Sequence, residues 1–503
     1  MRVKKSFLNA FFGALILIIR SVLLFAVRIV FVKTLGKTLL GVDSLFTNIL
    51  VVLSIADAGI STAISFNLYK PLSEKNYKKV SSLMTFYKKA YKRLGIIVLG
   101  AGLLFMPFLS IIVKENITNL YLFYLIYLFS TVVTYFISYK DSLLTADQNF
   151  YKSSMIVGTT YILMYVLRIV FLLIWPNFLV FALIQPIMII IQRILVNRYI
   201  TKSYPMVDFN CKEEVAKKEQ KQIFKNVKSM FLNKIGYFLV NGSDNIIISA
   251  IPSLGLGTVA IYTNYYSVVG AIDTIIAKAV SGVTSSYGDL AVVESKDVQE
   301  NVFNVLSFVN FIIYGLFGVG FFFLLTPLIR ICFGNSFDIS AITLLVLCLN
   351  FYLVGMVRPL DIIKEATGNY YQDRYVNILQ AVINIVLSIV LGKLYGLFGV
   401  VSATLISFVC LPLWNRPYVA YKYIFNKKPY NYLKKQAVYL GSLLIICVVC
   451  HFTLSIVALN NAILDFIVKA LFITVIYLLL VSALYCHTKE YKEVIYLVKK
   501  NRL

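Results

Sequence analysis

Histidine and acidic side chains are scarce in this sequence. Two His and 23 Asp or Glu in 503 residues leave few groups suited to proton transfer. Both histidines, His451 and His487, lie near or beyond the last apolar runs, and no long polar loop accompanies them. A catalytic constellation at one membrane surface is therefore not in evidence, and the chain is expected to be a non-enzyme. Cysteine is also sparse: of seven, Cys332, Cys348 and Cys410 lie inside apolar runs, so neither a metal site nor a disulfide framework is expected, and no cofactor is implied. A small-residue cleavage site is missing after MRVKKSF and the apolar run to Phe31, which reads as a retained first span with its start on the cytoplasmic side.

Only 14% of the chain is charged, whereas 59% is hydrophobic, with 37 Phe and 35 Tyr. That composition excludes one ordinary soluble domain and fits many membrane spans. The net charge of +25 would suit nucleic acid, but the Lys and Arg sit mostly in short connections between apolar runs, so no nucleic-acid partner is expected. Their placement follows the inside bias of cations instead and favours contact with membrane lipids.

Apolar runs fall near 8–32, 42–66, 94–113, 118–139, 154–175 and 177–196, then near 229–251, 256–280, 302–327, 338–358, 376–394 and 396–414, and finally near 436–457 and 465–486. The expected fold class is an all-α polytopic membrane protein of about 14 transmembrane helices, in two pseudo-symmetric six-helix lobes plus a C-terminal helix pair. Residues 1–196 form the N-terminal lobe, 197–228 a cytoplasmic linker and 229–414 the C-terminal lobe. A basic cytoplasmic loop at 415–435, the extra pair at 436–486 and a cytoplasmic tail at 487–503 complete the chain. Putting the Lys-rich connections on one side places both termini in the cytoplasm. Within the linker, KKEQKQIFKNV reads either as an amphipathic helix with Ile223, Phe224 and Val227 toward lipid or as a charged loop.

The stretch Gly41 to Arg93 combines an apolar run carrying Asn48 and Asp57 with a connection holding eight Lys or Arg. At an offset of 216 residues Gly41, Thr47, Asn48 and Asp57 match Gly257, Thr263, Asn264 and Asp273. Apolar composition does not supply Gly, Thr, Asn and Asp, so a duplicated bundle is expected.

Function is argued from ionisable residues inside apolar runs: Arg28, Asp57, Arg168, Lys234, Asp244, Asp273, Lys278 and Arg358. Charge in lipid is expensive, so each should face a cavity or a partner. Snorkelling to the interface is the competing reading, stronger for Lys234, Lys278 and Arg358 than for the deeper Arg28 and Arg168. Asp244 stands 216 residues after Arg28, which makes an Arg28–Asp244 neighbourhood an expectation of the repeat. A cavity with more cations than acids suits an anionic, phosphate-bearing solute.

The blocks GVDSLFTNIL, LSIADAGISTAISFNLYKPL and MTFYKKAYKR resemble the second span and basic connection of Gram-positive capsule and exopolysaccharide repeat-unit flippases. The run from Arg358 to Ser407 resembles the eleventh and twelfth spans of that family, and LWNRPYVAYKYIF resembles its exit toward the last helix pair. The whole chain is similar to polysaccharide biosynthesis flippases, in the superfamily that also holds peptidoglycan-precursor flippases and multidrug and toxin extruders. The resemblance implies translocation of undecaprenyl-diphosphate-linked oligosaccharide repeat units across the cytoplasmic membrane by rocking of two lobes. A polysaccharide polymerase and chain-length machinery would be the downstream partners. It assigns substrate contact to Arg28, Arg168, Lys278 and Arg358, and ion pairing or cation coupling to Asp57, Asp244 and Asp273. An ion-coupled multidrug or solute antiporter of the same superfamily is the alternative, expected to show buried acids as the dominant groups, and a membrane-embedded glycan polymerase is a further one.

Overall fold

Long apolar runs must satisfy every backbone polar group internally, and helices do this within one segment. A computed structural model meets that demand: the chain is an all-α, multi-pass membrane protein. It describes residues 2–54, 60–147, 150–369, 372, 373, 375–455 and 459–499. Side chains are described within these ranges except at 2–14, 60–66, 137, 150, 151, 222, 225, 226, 228–234, 237, 238, 241, 281 and 285. Asp57 lies outside the described residues, as does the side chain of Lys234.

The first half runs α1 (Arg2–Leu53), α2 (Ile60–Ser73), α3 (Tyr77–Phe105), α4 (Leu109–Ile112), α5 (Leu120–Ser138), α6 (Asp141–Ala146), α7 (Phe150–Ile174), α8 (Phe178–Ser203), α9 (Lys217–Ala250) and α10 (Gly255–Ser281). The second half runs α11 (Val283–Val293), α12 (Lys296–Phe333), α13 (Ala341–Met356), α14 (Arg358–Thr367), α15 (Val376–Cys410) and α16 (Pro412–Ala420). It ends in α17 (Tyr430–Leu454), α18 (Ala462–Tyr485) and α19 (Lys489–Lys499). Among the described residues, nine helical stretches are long and apolar enough to cross a membrane.

Two of the longest helices each carry a pair of the apolar runs. Gly36, at φ 83°, breaks α1 between the first and second runs, and Gly396, at φ 61°, breaks α15 between the eleventh and twelfth. Both backbones lie where a Cβ is strained, which is why the break falls on glycine. Elsewhere amide and hydroxyl caps start the helices: Asn76, Asn177, Ser340 and Asn461 each accept a backbone N–H of the first turn.

The chain divides into two compact units, Met1–Thr263 and Asn264–Leu503. In the first, α1 packs along α7 and α9, and α5 along α3 and α8. In the second, α12 packs against α13 and α18, and α15 against α13. An aromatic core there gathers Tyr287, Phe303, Phe408 and Tyr432 around a π-helical turn, Tyr421–Phe425, formed by the LWNRPYVAYKYIF stretch.

Two threonines of the matched stretches make the i−4 bond common to helical threonine. Thr47 and Thr263 both donate their hydroxyls to the carbonyl four residues earlier, Asp43 and Val259, at 2.8 and 2.7 Å. The Lys-rich connection behaves differently from either sequence alternative. It is helical from Lys217, but Ile223 is buried inside the unit, while Phe224 is exposed and packs edge-on to Phe86 at 6.0 Å. Opposite charges explain the docking: Lys78 pairs with Glu213 at 3.1 Å and Lys79 with Glu219, holding the stretch against the start of α3.

Candidate functional site

In the first unit, helical spacing places Tyr161, Tyr165 and Arg168 on one face of α7. Arg20 from α1 stacks its guanidinium 3.8 Å over the Tyr161 ring and also bonds to Tyr165. Arg168 is 5% exposed, donates to the Gln185 carbonyl at 2.8 Å and lies 4.0 Å over the Phe181 ring. Arg28 is 6% exposed, donates to Ser44 at 3.3 Å and lies in the field of Asp43. The Tyr127 hydroxyl lies between the two arginine neighbourhoods, since it donates to Asp43 and stands in the field of Arg168. Four helices, α1, α5, α7 and α8, thus converge on one polar cluster.

The charges in that cluster do not balance. Among the described residues neither Arg20 nor Arg168 has a carboxylate within ion-pair distance; their partners are a neutral amide, tyrosines and a ring. A guanidinium in an apolar span costs about 3 kcal/mol by insertion scales, so neutral dipoles and π faces lower the penalty without cancelling the charge. What results is a buried site of net positive character, with planar donors in fork geometry suited to phosphate or carboxylate.

Asp244 occupies α9, 4% exposed, and accepts from the Tyr262 hydroxyl at 2.9 Å. The partners given to Arg28 are Ser44 and Asp43, and the one given to Asp244 is Tyr262.

The second unit handles its charges by pairing. Arg358, the first residue of α14, sets Nη2 2.8 and 2.9 Å from the two carboxylate oxygens of Asp273 on α10. Tyr314 of α12 donates to the same carboxylate at 2.9 Å. One turn along α14, Asp361 meets Arg416 at 2.6 Å and Lys364 at 3.2 Å, and Lys364 also meets Asp373. Lys278 is exposed in the last turn of α10, the position from which a lysine snorkels.

Sequence reasoning passes over several of these residues. Arg20 obeys the rule that singles out Arg28, an arginine inside an apolar run, and lies eight residues before it. Asp43 carries a signal too, but at the start of its run it reads as a boundary. Gln185, Tyr127 and Tyr314 give none in a chain with 35 Tyr. The chain's one C-x-x-C spacing, Cys447 and Cys450, falls inside α17, where both thiols are free.

No protein-family profile matches the chain. No curated protein matches it in sequence either. Solved structures do match in fold. The lipid II flippase MurJ in an inward closed conformation superposes with a TM-score of 0.70 over 96% of this chain and 98% of its own, at 16% identity. An inward-facing multidrug resistance MATE family transporter of the MOP superfamily gives 0.65 over 82% and 98%, at 14% identity. The Vibrio cholerae MATE transporter VcmN in its bent form gives 0.56 over 84% and 98%, at 13%. The chain therefore has the transporter fold common to these structures.

Proposed function

We propose that this chain is a flippase that carries undecaprenyl-diphosphate-linked oligosaccharide repeat units across the cytoplasmic membrane, for capsule, exopolysaccharide or another surface polysaccharide. One observation carries the reading: the first unit buries Arg28 and Arg168 and half-buries Arg20 around a cluster whose carboxylate, Asp43, lies beside Arg28. A diphosphate is the head group whose charge and oxygen geometry such a surplus of guanidinium fits. Arg168 and Arg28 contact the diphosphate, with Arg20 holding the adjoining charge. Arg358 and Lys278 serve the same substrate from the second unit, and Arg358 becomes available when Asp273 releases it. Asp57, Asp244 and Asp273 act in ion pairing or coupling.

Lobes at 1–196 and 229–414, joined by the linker 197–228, and both termini on the cytoplasmic face belong to the same proposal. The product would pass to a polymerase and its chain-length machinery on the far side. The likeness to a lipid II flippase supports a lipid-linked cargo, and the likeness to multidrug transporters supports the antiporter alternative. Two carboxylates of the sites, Asp43 and Asp273, are already engaged by tyrosine and arginine, which favours anionic cargo over cationic.

Leaflet-specific delivery of a synthetic undecaprenyl-diphosphate oligosaccharide in proteoliposomes tests the reading, beside the same lipid with one phosphate and a cationic drug. Preferential movement of the diphosphate lipid is expected. Movement of the drug alone would replace the proposal with the antiporter.

A further inference from the structure

Away from the arginine cluster, the second unit holds a cavity of about 460 Å³, lined by both polar and apolar side chains, where α12 begins, α17 begins and α18 ends. Because α17 and α18 are long apolar helices, their shared end is a membrane–water boundary. Amides and hydroxyls line it, among them Asn301, Asn304, Asn431 and Thr488. Its two carboxylates are both occupied: Glu300 by Lys427 and Glu490 by Lys435, each at 2.6 Å. Lys434, also in the lining, is exposed and has no carboxylate within ion-pair distance among the described residues. Lys434 is thus the lining cation without an ion pair, in a lining whose two lysines and two glutamates are equal in number.

From Lys434 a stripe of apolar surface runs along α17. Val438, Ile445, Val448 and Phe452 follow at helical spacing, and all are exposed. Between them stands Gly441, over which a Cβ would meet nothing within 4 Å. A cation, then hydroxyl-binding amides, then an open apolar track is the order of groups in a glycerophospholipid read from phosphate to acyl chain.

We infer that this cavity binds the phosphoglycerol head group of an anionic glycerophospholipid, with the phosphate on Lys434, the glycerol hydroxyls on the asparagines and one acyl chain lying over Gly441. Glu490, on the terminal helix α19, is the built-in competitor. Its carboxylate holds Lys435, next to Lys434 in sequence, and repels a phosphate arriving at Lys434, so the seating of α19 responds to the lipid.

Lipid and free glycerol phosphate share this chemistry, so the test carries both. Purified full-length protein is equilibrated in mixed micelles of phosphatidylglycerol and phosphatidylcholine, and retained lipid is counted by native mass spectrometry with and without millimolar glycerol 3-phosphate. Phosphatidylglycerol is expected to be retained preferentially. Lys434→Gln should lower that retention about five-fold, the change that one lysine at an anionic surface supplies. Lys434→Arg should keep it, Glu490→Gln should raise it, and Gly441→Phe should lower it by filling the track. Unfolding midpoints identify any variant that fails to fold, and the Arg and Glu490 variants then still decide the matter. Equal retention of both lipids, or indifference to Lys434→Gln, overturns the inference. Displacement by glycerol 3-phosphate together with indifference to Gly441→Phe also overturns it, assigning the cavity to a soluble phosphate ester.

Discussion

In the first unit Arg28 has Asp43 beside it and Arg168 has an amide and a ring, whereas in the second Arg358 reaches both carboxylate oxygens of Asp273. Burial differs as well. Arg28 and Arg168 are 6% and 5% exposed, while the side chains of Arg358 and Asp273 are 23% and 28% exposed. A buried cation outside a close ion pair keeps positive potential for a ligand, because the low-dielectric surroundings do not screen it. A paired and partly wet cation has its charge matched and screened, and such pairs contribute little net stability. The two units thus use one set of residues, arginine, aspartate and tyrosine, to opposite ends: the first stores unbalanced charge, and the second pins helices together.

The largest expected effect removes the first unit's acid. Asp43→Asn leaves the buried Arg28 beside a neutral amide, and stranding a buried charge in this way costs about 3 kcal/mol or more. The unfolding midpoint in detergent should fall clearly, and transport should fail. Asp273→Asn strands a more exposed arginine and should lower the midpoint less. If Asp273→Asn destabilises as strongly as Asp43→Asn, the contrast between the units is wrong.

Next comes Arg168→Gln. It removes a charge-assisted donor while Gln keeps part of the hydrogen bonding, so delivery of the diphosphate lipid should drop about 10- to 100-fold with inserted protein nearly unchanged. Arg168→Lys should retain part of the activity, since the charge survives without the fork. Loss of inserted protein in the Gln variant would assign Arg168 to folding instead.

Exchanging charges sharpens the difference in pairing. The double variant Arg358→Asp with Asp273→Arg should recover more transport than either single change, because an isolated pair survives reversal. The corresponding exchange of Arg28 and Asp43 should recover nothing, since the Tyr127 hydroxyl beside Arg168 would lose the carboxylate to which it donates. Recovery in both units would make the first a simple pair.

The helices of this comparison were readable from sequence because long apolar runs and Lys-rich connections leave few alternatives. Glycine stands where two apolar runs meet inside each of the two long helices, Gly36 in α1 and Gly396 in α15, and Trp175-Pro176 falls between α7 and α8. Arg28 and Arg168 were visible because an ionisable group in an apolar run needs an explanation. Their partners were not. Asp43 sits where a run begins, so its polarity passes for a boundary, and Tyr127, Tyr314 and Gln185 make ordinary apolar or polar neighbours until four helices are brought together. The 216-residue repeat aligns Arg28 with Asp244. The repeat also aligns Asp273 with Asp57, which lies outside the described residues.

The smallest expected effect isolates the tyrosines, which differ only in what their hydroxyls connect. Tyr314 donates to a carboxylate that Arg358 already holds at two points, so Tyr314→Phe removes one hydrogen bond, about 1 kcal/mol, from an otherwise complete pair. Stability should fall slightly and the transport rate per inserted molecule should hold. Tyr127 bridges Asp43 and Arg168, so Tyr127→Phe removes a similar amount of bonding but cuts the path by which the acid reaches the second arginine. Its stability loss should be comparable, yet its transport and its preference for a diphosphate over a monophosphate lipid should change, because Arg168 loses the one link that orients it toward the acid. The measurement is a ratio: rate per inserted molecule for the two lipids, at matched protein density, in both variants. A changed ratio for Tyr127→Phe alone keeps the distinction between a charge-storing and a charge-matching unit. Equal ratios in the two variants would reduce both tyrosines to packing and leave Asp43 serving Arg28 alone.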